Sequence, residues 1–355
     1  MDINNDYELK KLYTEKKISN NYSIEYFFGH HKLDKEKNIF VENIKIENKN
    51  IMDYEINQIT KEIVLLKKFK NRPYFPKLIN ILKTDNNSEN NILLIFEGNN
   101  ISLDLFIKSE VFDYRKQKML IKYIIYQIAY GLYILHSNNI IHHNLKPCNI
   151  LINEESTISI YNFFSSIFKG EKSIYFTMRY AAPEYLYNNS ITIDEKYDMW
   201  ALGVIIFELY LKRNNMFEIK DKKKENVNNM SNQLNEILSY FDIDEKNKKE
   251  DVNTLLKNIF DGKINPKFKI DNFSNEINDP EAIELINNLL VINPTKRFSA
   301  EQVLKSNYLK HNIGLEPFEI KPTDFSLTYK EKKNLNITID ELINSIKIFN
   351  NNLIK

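Results

Sequence analysis

From Met199 to Leu211 the chain is apolar on every side, and its one charge is Glu208. A helix without a polar face has to be surrounded by protein. The stretch runs for about 13 residues, and a bilayer needs about 20, so it does not span a membrane. It therefore demands a sizeable core around it, which a chain of 355 residues can build. At about 150 residues per domain, that length allows two or three domains or one two-lobed domain.

Composition narrows the function classes. Lys+Arg 49 against Asp+Glu 48 leaves a net charge of +1, which argues against a chain-wide grip on nucleic acid or an anionic membrane. There are only 7 glycines, which disfavours an architecture built on several glycine-rich phosphate loops. The single cysteine, Cys148, excludes an internal disulfide framework and a cysteine-rich metal site, and fits a reducing compartment. The start, MDINNDYELKKLY, has no apolar segment of the signal-peptide kind. The expectation is an intracellular protein, cytoplasmic or nuclear, with no nucleic-acid partner and no membrane span.

Periodicity places the elements. Ile39-Phe40-Val41 and Ile44-Lys45-Ile46 read as strands, and Asn91–Glu97 as a buried strand. Ile56, Ile59, Ile63 and Leu66 form the stripe of one helix; Ile121, Ile124, Ile128, Leu132 and Leu135 form that of another, spanning Lys116–His136. Ile140–Ile160 reads as two short strands around a loop. Residues 212–255 are rich in Lys and Asn, with an amphipathic helix at Leu234–Phe241. Three later helices carry start signals: Asp279-Pro280, Ser299 with Gln302, and Thr338 with Glu341. Strands first and helices later suggest an α+β chain of two lobes.

One segment carries chemistry. His142-His143-Asn144-Leu145-Lys146-Pro147-Cys148-Asn149 resembles the catalytic loop of eukaryotic protein kinases, H-R-D-L-x-x-x-N. Tyr161-Asn162-Phe163-Phe164 stands where that family has D-F-G, and Thr177–Glu184 resembles an activation segment closing on A-P-E. Asp198–Gly203 resembles the start of the buried helix of the large lobe. Asn293-Pro294-Thr295-Lys296-Arg297 is similar to the segment that supplies the arginine partner of the A-P-E glutamate. The order and spacing fit, and the nearest group is the cyclin-dependent and MAP kinases. The resemblance implies a bilobal fold. A β-rich small lobe with one helix and an N-terminal extension would span 1–97, a helical large lobe 98–312, and a MAP-kinase-like extension 313–355.

The same resemblance assigns roles. Glu62 is similar to the glutamate of the small-lobe helix. Lys45 is the candidate for its lysine partner, although a shift of one to three residues would put Ile44 or Glu42 there. Glu97 and Asn99 lie where the backbone between the lobes would meet an adenine; alternatively Phe27, Phe28 and Phe96 fill that space. His142, Phe163, Glu184, Asp198 and Arg297 match internal supports of the fold.

The chemical groups are another matter. Asn144 stands in place of the aspartate base, and an amide has no basic oxygen at neutral pH. Loss of a general base typically costs about 10²–10⁴ in rate. Asn162 stands in place of the metal-binding aspartate, leaving Asn149 as the one matching metal-facing residue; neutral amides are poor ligands for a hard cation. The stretch expected to form the glycine loop is Ser23-Ile24-Glu25-Tyr26-Phe27-Phe28, with Gly29 only after it. His143 replaces the arginine that reads a phosphorylated activation segment, which weakens Ser173, Tyr175 and Thr177 as modification sites. His311–Pro317 resembles a MAP-kinase docking segment with Glu316 as its one acid, and Lys220–Lys224 reads as a solvated face. Adjacent histidines (His30-His31, His142-His143) do not converge on a metal.

The expectation is a pseudokinase that works as a scaffold or an allosteric partner, with proteins, including an active kinase or its substrate, as its partners. The alternative is a weakly active serine/threonine kinase using Lys45, Lys146 and Asn149. Of the cofactors, ATP is open, and Mg²⁺ is doubtful because both carboxylates are replaced.

Overall fold

The computed structural model describes residues 7–11, 16–17, 21–46, 52–86, 89–98, 101–172, 176–212, 216–219 and 230–310. They fall into two compact units. One takes the described residues up to Ile101 together with Leu151–Phe164; the other takes Ser102–Ile150 and the described residues from Ser165 onward. The expected extension at 313–355, the helix at Thr338, the docking-like segment 311–317, the run 220–224, Ser173 and Tyr175 all lie outside the described residues.

The first unit is an antiparallel sheet with a helix. Its strands are β1 (Tyr7–Lys11), β2 (Lys16–Lys17), β3 (Tyr22–His31), β4 (Asp34–Ile46), β5 (Leu78–Asn86) and β6 (Glu89–Glu97). They run in the order β1-β3-β4-β6-β5, with β2 also on β3. The two short apolar runs expected at 39–41 and 44–46 are one strand. Glu42 and Asn43 between them are paired with β3 on one side and β6 on the other, so the ladder continues through the polar residues. One sheet face closes over a cluster of Tyr7, Phe27, Ile39, Val41, Leu93 and Ile95. Gly29 serves the approach of β1: a Cβ there would lie 2.1 Å from the Glu8 carbonyl oxygen. Helix α1 (Asp53–Phe69) buries Ile56, Ile59, Ile63 and Leu66 as its stripe requires, and Glu62 with them.

The second unit is helical. It contains α2 (Leu103–Lys108), α3 (Lys118–Ser137), α4 (Pro183–Tyr187), α5 (Lys196–Leu211), α6 (Met230–Ser239), α7 (Val252–Phe260), α8 (Pro280–Leu289) and α9 (Ala300–Leu304). Every residue of α5 from Tyr197 to Leu211 is buried, the environment its composition demanded. Its two inner carboxylates, Asp198 and Glu208, are satisfied: Glu208 accepts from the Tyr180 hydroxyl at 3.0 Å and the Met216 amide at 3.2 Å. Helix α6 starts earlier than the periodicity suggested, and Phe241 passes into a short strand that pairs with Phe268.

The start signals at Asp279 and Ser299 act as read. Asp279 accepts from the Ala282 amide at 3.1 Å ahead of Pro280. Ser299 and Gln302 form a reciprocal box, at 3.2 and 2.8 Å. Gly203 lets α5 lie close to the end of α8, since a Cβ there would come within 2.9 Å of Leu289 Cβ and Leu290 Cδ2. Gly203→Ala improves helix propensity by about 1 kcal/mol, yet overpacking should leave the unit less stable by about 1–3 kcal/mol in urea unfolding. An unchanged or raised midpoint would show that the two helices have room to part.

Candidate active site

Each unit carries part of the motif set. In the first, side chains alternate along β4, so Phe40, Glu42 and Ile44 face one way and Val41, Asn43 and Lys45 the other. Lys45 lies opposite Ser23, and its Nζ reaches Glu25 Oε2 at 3.0 Å. Asn43 Nδ2 donates to the same oxygen at 3.3 Å. The Lys45–Glu62 pair is therefore not made. A strand shifted by an odd number of residues presents its opposite face, and the residue whose charge acts on Glu62 is Glu42, three positions earlier. Both carboxylates are fully buried. Burial first, and then the charge of Glu42, push the Glu62 carboxyl well above the ordinary glutamate range. The amides of Phe163, Asn162 and Phe164 oppose that rise without cancelling it.

On the same face, Phe40 gathers an aromatic cluster. Its ring lies 5.7 Å from Tyr26, 5.8 Å from Phe28, 6.0 Å from Phe96 and 6.3 Å from Tyr161. Of the three phenylalanines expected to compete for this space, Phe28 and Phe96 join it, whereas Phe27 belongs to the cluster on the other face. Glu97 is exposed and ion-paired with Lys77. Its amide donates to the Lys77 carbonyl at 3.0 Å, and the Gly98 amide to the Asn38 carbonyl at 2.9 Å. Asn99 lies outside the described residues.

Asn162 sits in the left-handed region at φ 70°, a conformation that asparagine tolerates better than most residues. Phe163 is fully buried, 6.1 Å from both Phe69 and Phe75. Phe164 is buried 6.4 Å from Tyr22.

In the second unit Asp198 is a clamp. It accepts from the His142 amide at 2.8 Å and the His143 amide at 2.9 Å, and its Oδ2 lies 2.9 Å from His136 Nε2. Burial alone would raise its carboxyl; the His136 and His142 contacts outweigh burial and hold it below the usual range. His143 is buried at φ 63° with its ring against Tyr197 (4.5 Å) and Tyr185 (5.5 Å). Two aromatic rings thus pack against the His143 ring.

The loop beyond is tied to the segment before A-P-E. Lys146 Nζ donates to Thr177 Oγ1 at 2.9 Å, and that hydroxyl donates to Asn144 Oδ1 at 2.7 Å. Asn149 Nδ2 donates to the Asn144 carbonyl at 2.7 Å. The side-chain oxygen of Asn144 is an amide oxygen already engaged by a hydroxyl. Glu184 and Arg297 form a forked pair, with both bonds at 3.0 Å.

A profile of the protein kinase domain matches residues 30–309. The chain belongs to the protein kinase family. Extracellular signal-regulated kinase 2 of Dictyostelium discoideum is 28% identical over 277 residues, covering 72% of this chain and 69% of that protein. Mitogen-activated protein kinase 5 of Oryza sativa subsp. indica is 30% identical over 225 residues, covering 61% and 57%. Mitogen-activated protein kinase HOG1 of Colletotrichum orbiculare is 33% identical over 218 residues, covering 59% and 57%. For these last two, the chain spans less than two thirds of the relative's length.

The expected kinase fold, a sheet-based unit and a helical unit of the MAP-kinase group, is thus present. Within this kinase-family chain, three contributors had no role in the motif reading. His136 lies six residues before the loop, on α3, with nothing in its spacing to mark it. Phe40 and Tyr161 read only as strand and loop apolar residues, and their meeting depends on which face each strand presents. No helix among the described residues is long and apolar enough to cross a membrane.

Proposed function

We propose that this kinase-family protein is a pseudokinase, acting through protein contacts as a scaffold or an allosteric partner. The observation that carries the reading is the buried Glu42, whose charge acts on the buried Glu62. Phosphoryl transfer in this fold uses a lysine–glutamate pair to hold the nucleotide phosphates. Here a second carboxylate takes the place of the ammonium, so the local field repels phosphate. Amides at Asn144 and Asn162, in place of the base and of the metal-binding carboxylate, act in the same direction. The aromatic cluster around Phe40 adds bulk where an adenine would have to lie. An intracellular site of action, cytoplasmic or nuclear, belongs to the same proposal.

One observation favours a second reading, a weakly active serine/threonine kinase. The Lys146–Thr177–Asn144 chain and the Asn149 bond keep the loop in a defined geometry. Thermal unfolding with ATP, with and without Mg²⁺, separates the two. A ligand at about 100 times its Kd stabilises the native state by about 2.7 kcal/mol. The expected result is no shift of the midpoint at millimolar ATP. A Mg²⁺-dependent rise would favour the weakly active kinase.

A further inference from the structure

The second unit holds a cavity of about 300 Å³ where the end of α4, the turn into α5, the end of α7 and the segment Asn293–Thr295 meet. Four aromatic side chains line it: Tyr185, Tyr187, Tyr197 and Phe260. The rings of Tyr187 and Phe260 lie 5.6 Å apart at 47°, and those of Tyr185 and Tyr197 lie 5.7 Å apart at 90°. Rings at such angles present their negative faces in different directions. Two carboxylates, Glu184 and Asp194, line the cavity, and among the described residues no lysine, arginine or histidine does. Arg297 neutralises Glu184 through the forked pair. Asp194 is exposed, and the lysines that feel its charge, Lys169 and Lys196, are bonded elsewhere, to Glu195 and to the Arg297 carbonyl.

The other polar side chains of the wall are already engaged. Asn293 Oδ1 accepts from the Thr295 amide and hydroxyl at 3.1 and 2.8 Å, and its Nδ2 donates to the Ile259 and Phe260 carbonyls at 3.0 and 3.2 Å. Asn188 Oδ1 accepts from the Ser190 amide at 3.0 Å, and Asp194 Oδ1 from the Lys196 amide at 2.9 Å. An anion meets no cation here, and a ligand with several N–H donors meets few free acceptors. A cation without N–H groups needs neither, because ring faces and a nearby carboxylate attract it.

We propose that this cavity binds a trimethylated lysine side chain of a partner protein. Methylation keeps the positive charge and replaces the three N–H donors with methyl groups that can be buried against the rings. An unmodified ammonium is strongly hydrated, and it would have to exchange that water for acceptors already in use. The assignment rests on the reading that the chain works through protein contacts, because a side chain held here is bound and no bond to it is made or broken.

Four probes are titrated calorimetrically into the full chain. They are a short alanine-rich peptide with one trimethyllysine, its unmodified lysine form, its neutral isostere with carbon in place of the quaternary nitrogen, and choline as a free cation. The trimethyllysine peptide is expected to bind at least about tenfold more tightly than each of the other three. Tyr187→Leu and Phe260→Leu keep an apolar wall but remove a ring face, and each should weaken that peptide by about tenfold. Asp194→Asn keeps the acceptor for the Lys196 amide and should weaken it by about two- to fivefold. Melting midpoints confirm that the variants fold; if one does not, the ranking of the four probes on the unaltered chain decides the question. Equal binding of the isostere would make this an ordinary apolar pocket, and equal binding of choline would make the ligand a free small cation. Either result, equal binding of the unmodified peptide, full affinity in both leucine variants, or no binding at all would overturn the assignment. ATP turnover in the same samples reports on the pseudokinase reading separately. Turnover together with selective trimethyllysine binding would sink that reading and leave the cavity assignment standing, and neither turnover nor binding would do the reverse.

Discussion

Arg297→Met should destabilise the second unit by about 3–5 kcal/mol, the usual cost of removing one member of a buried ion pair. The Arg297 side chain is fully buried. Beyond the two bonds to Glu184, NH1 donates to the Lys196 carbonyl at 2.6 Å, Nε to the Val291 carbonyl at 3.1 Å and NH2 to the same carbonyl at 2.8 Å. The guanidinium also lies over the Trp200 ring at 5.2 Å. NH2 also donates to the Ile292 carbonyl at 3.3 Å, so removing the guanidinium strands a carboxylate and three carbonyls at once, and Met fills the volume without replacing a donor. Arg297→Lys keeps the charge but cannot form the fork, so it should lose most of the same stability. The exposed Lys305–Glu301 pair makes the contrast, because breaking it should leave the midpoint unchanged. Urea unfolding followed by tryptophan fluorescence reads all three, since Trp200 is the one tryptophan and sits beside Arg297. A loss below about 1 kcal/mol for Arg297→Met would mean that water replaces the guanidinium, and that the pair is not the anchor its burial suggests.

These supports were legible in the sequence because each is a motif of fixed spacing with one structural solution. Glu184 and Arg297 are 113 residues apart, yet each belongs to a short recognisable segment. The buried helix α5 was legible from composition alone, and the caps at Asp279 and Ser299 from local chemistry. The register of β4 was not. Lys45 and Glu42 both follow apolar residues, and nothing local states which of them looks toward α1. That is decided by pairing with β3 and β6, partners more than ten residues away in sequence. The filling of the sheet face by Tyr26, Phe28, Phe40, Phe96 and Tyr161 was only half visible for the same reason. Alternation tells which residues share a face, but not which face meets the helix. His136 was hidden because its role exists only through Asp198, 62 residues later.

The Glu42–Glu62 pair makes the stability of the first unit fall as pH rises. Unfolded Glu62 titrates near its ordinary value of 4.5, while in the folded unit burial and then Glu42 hold its carboxyl well above that. Below the unfolded value both states carry the proton, and the folded unit has its full stability. Between the two values only the folded state holds the proton, so stability is lost as pH climbs, and it levels off above the folded value. The melting midpoint of the full chain, followed upward from about pH 4.5, should trace that decline. Glu62→Gln removes the titrating group and should flatten it. Glu42→Gln removes the like charge, should stabilise the unit by about 1–3 kcal/mol at neutral pH, and should leave a smaller slope, because burial is the larger cause. Glu42→Lys gives the sharpest contrast. An ammonium next to Glu62 favours the carboxylate form and draws its pKa down. The slope should then shrink or reverse, so that stability is held at neutral pH and lost on acidification. The same decline in the Glu62→Gln variant as in the unaltered chain would assign the pH dependence elsewhere. A Glu42→Lys variant that melts lower than the unaltered chain at neutral pH would show that the two side chains do not share one buried space.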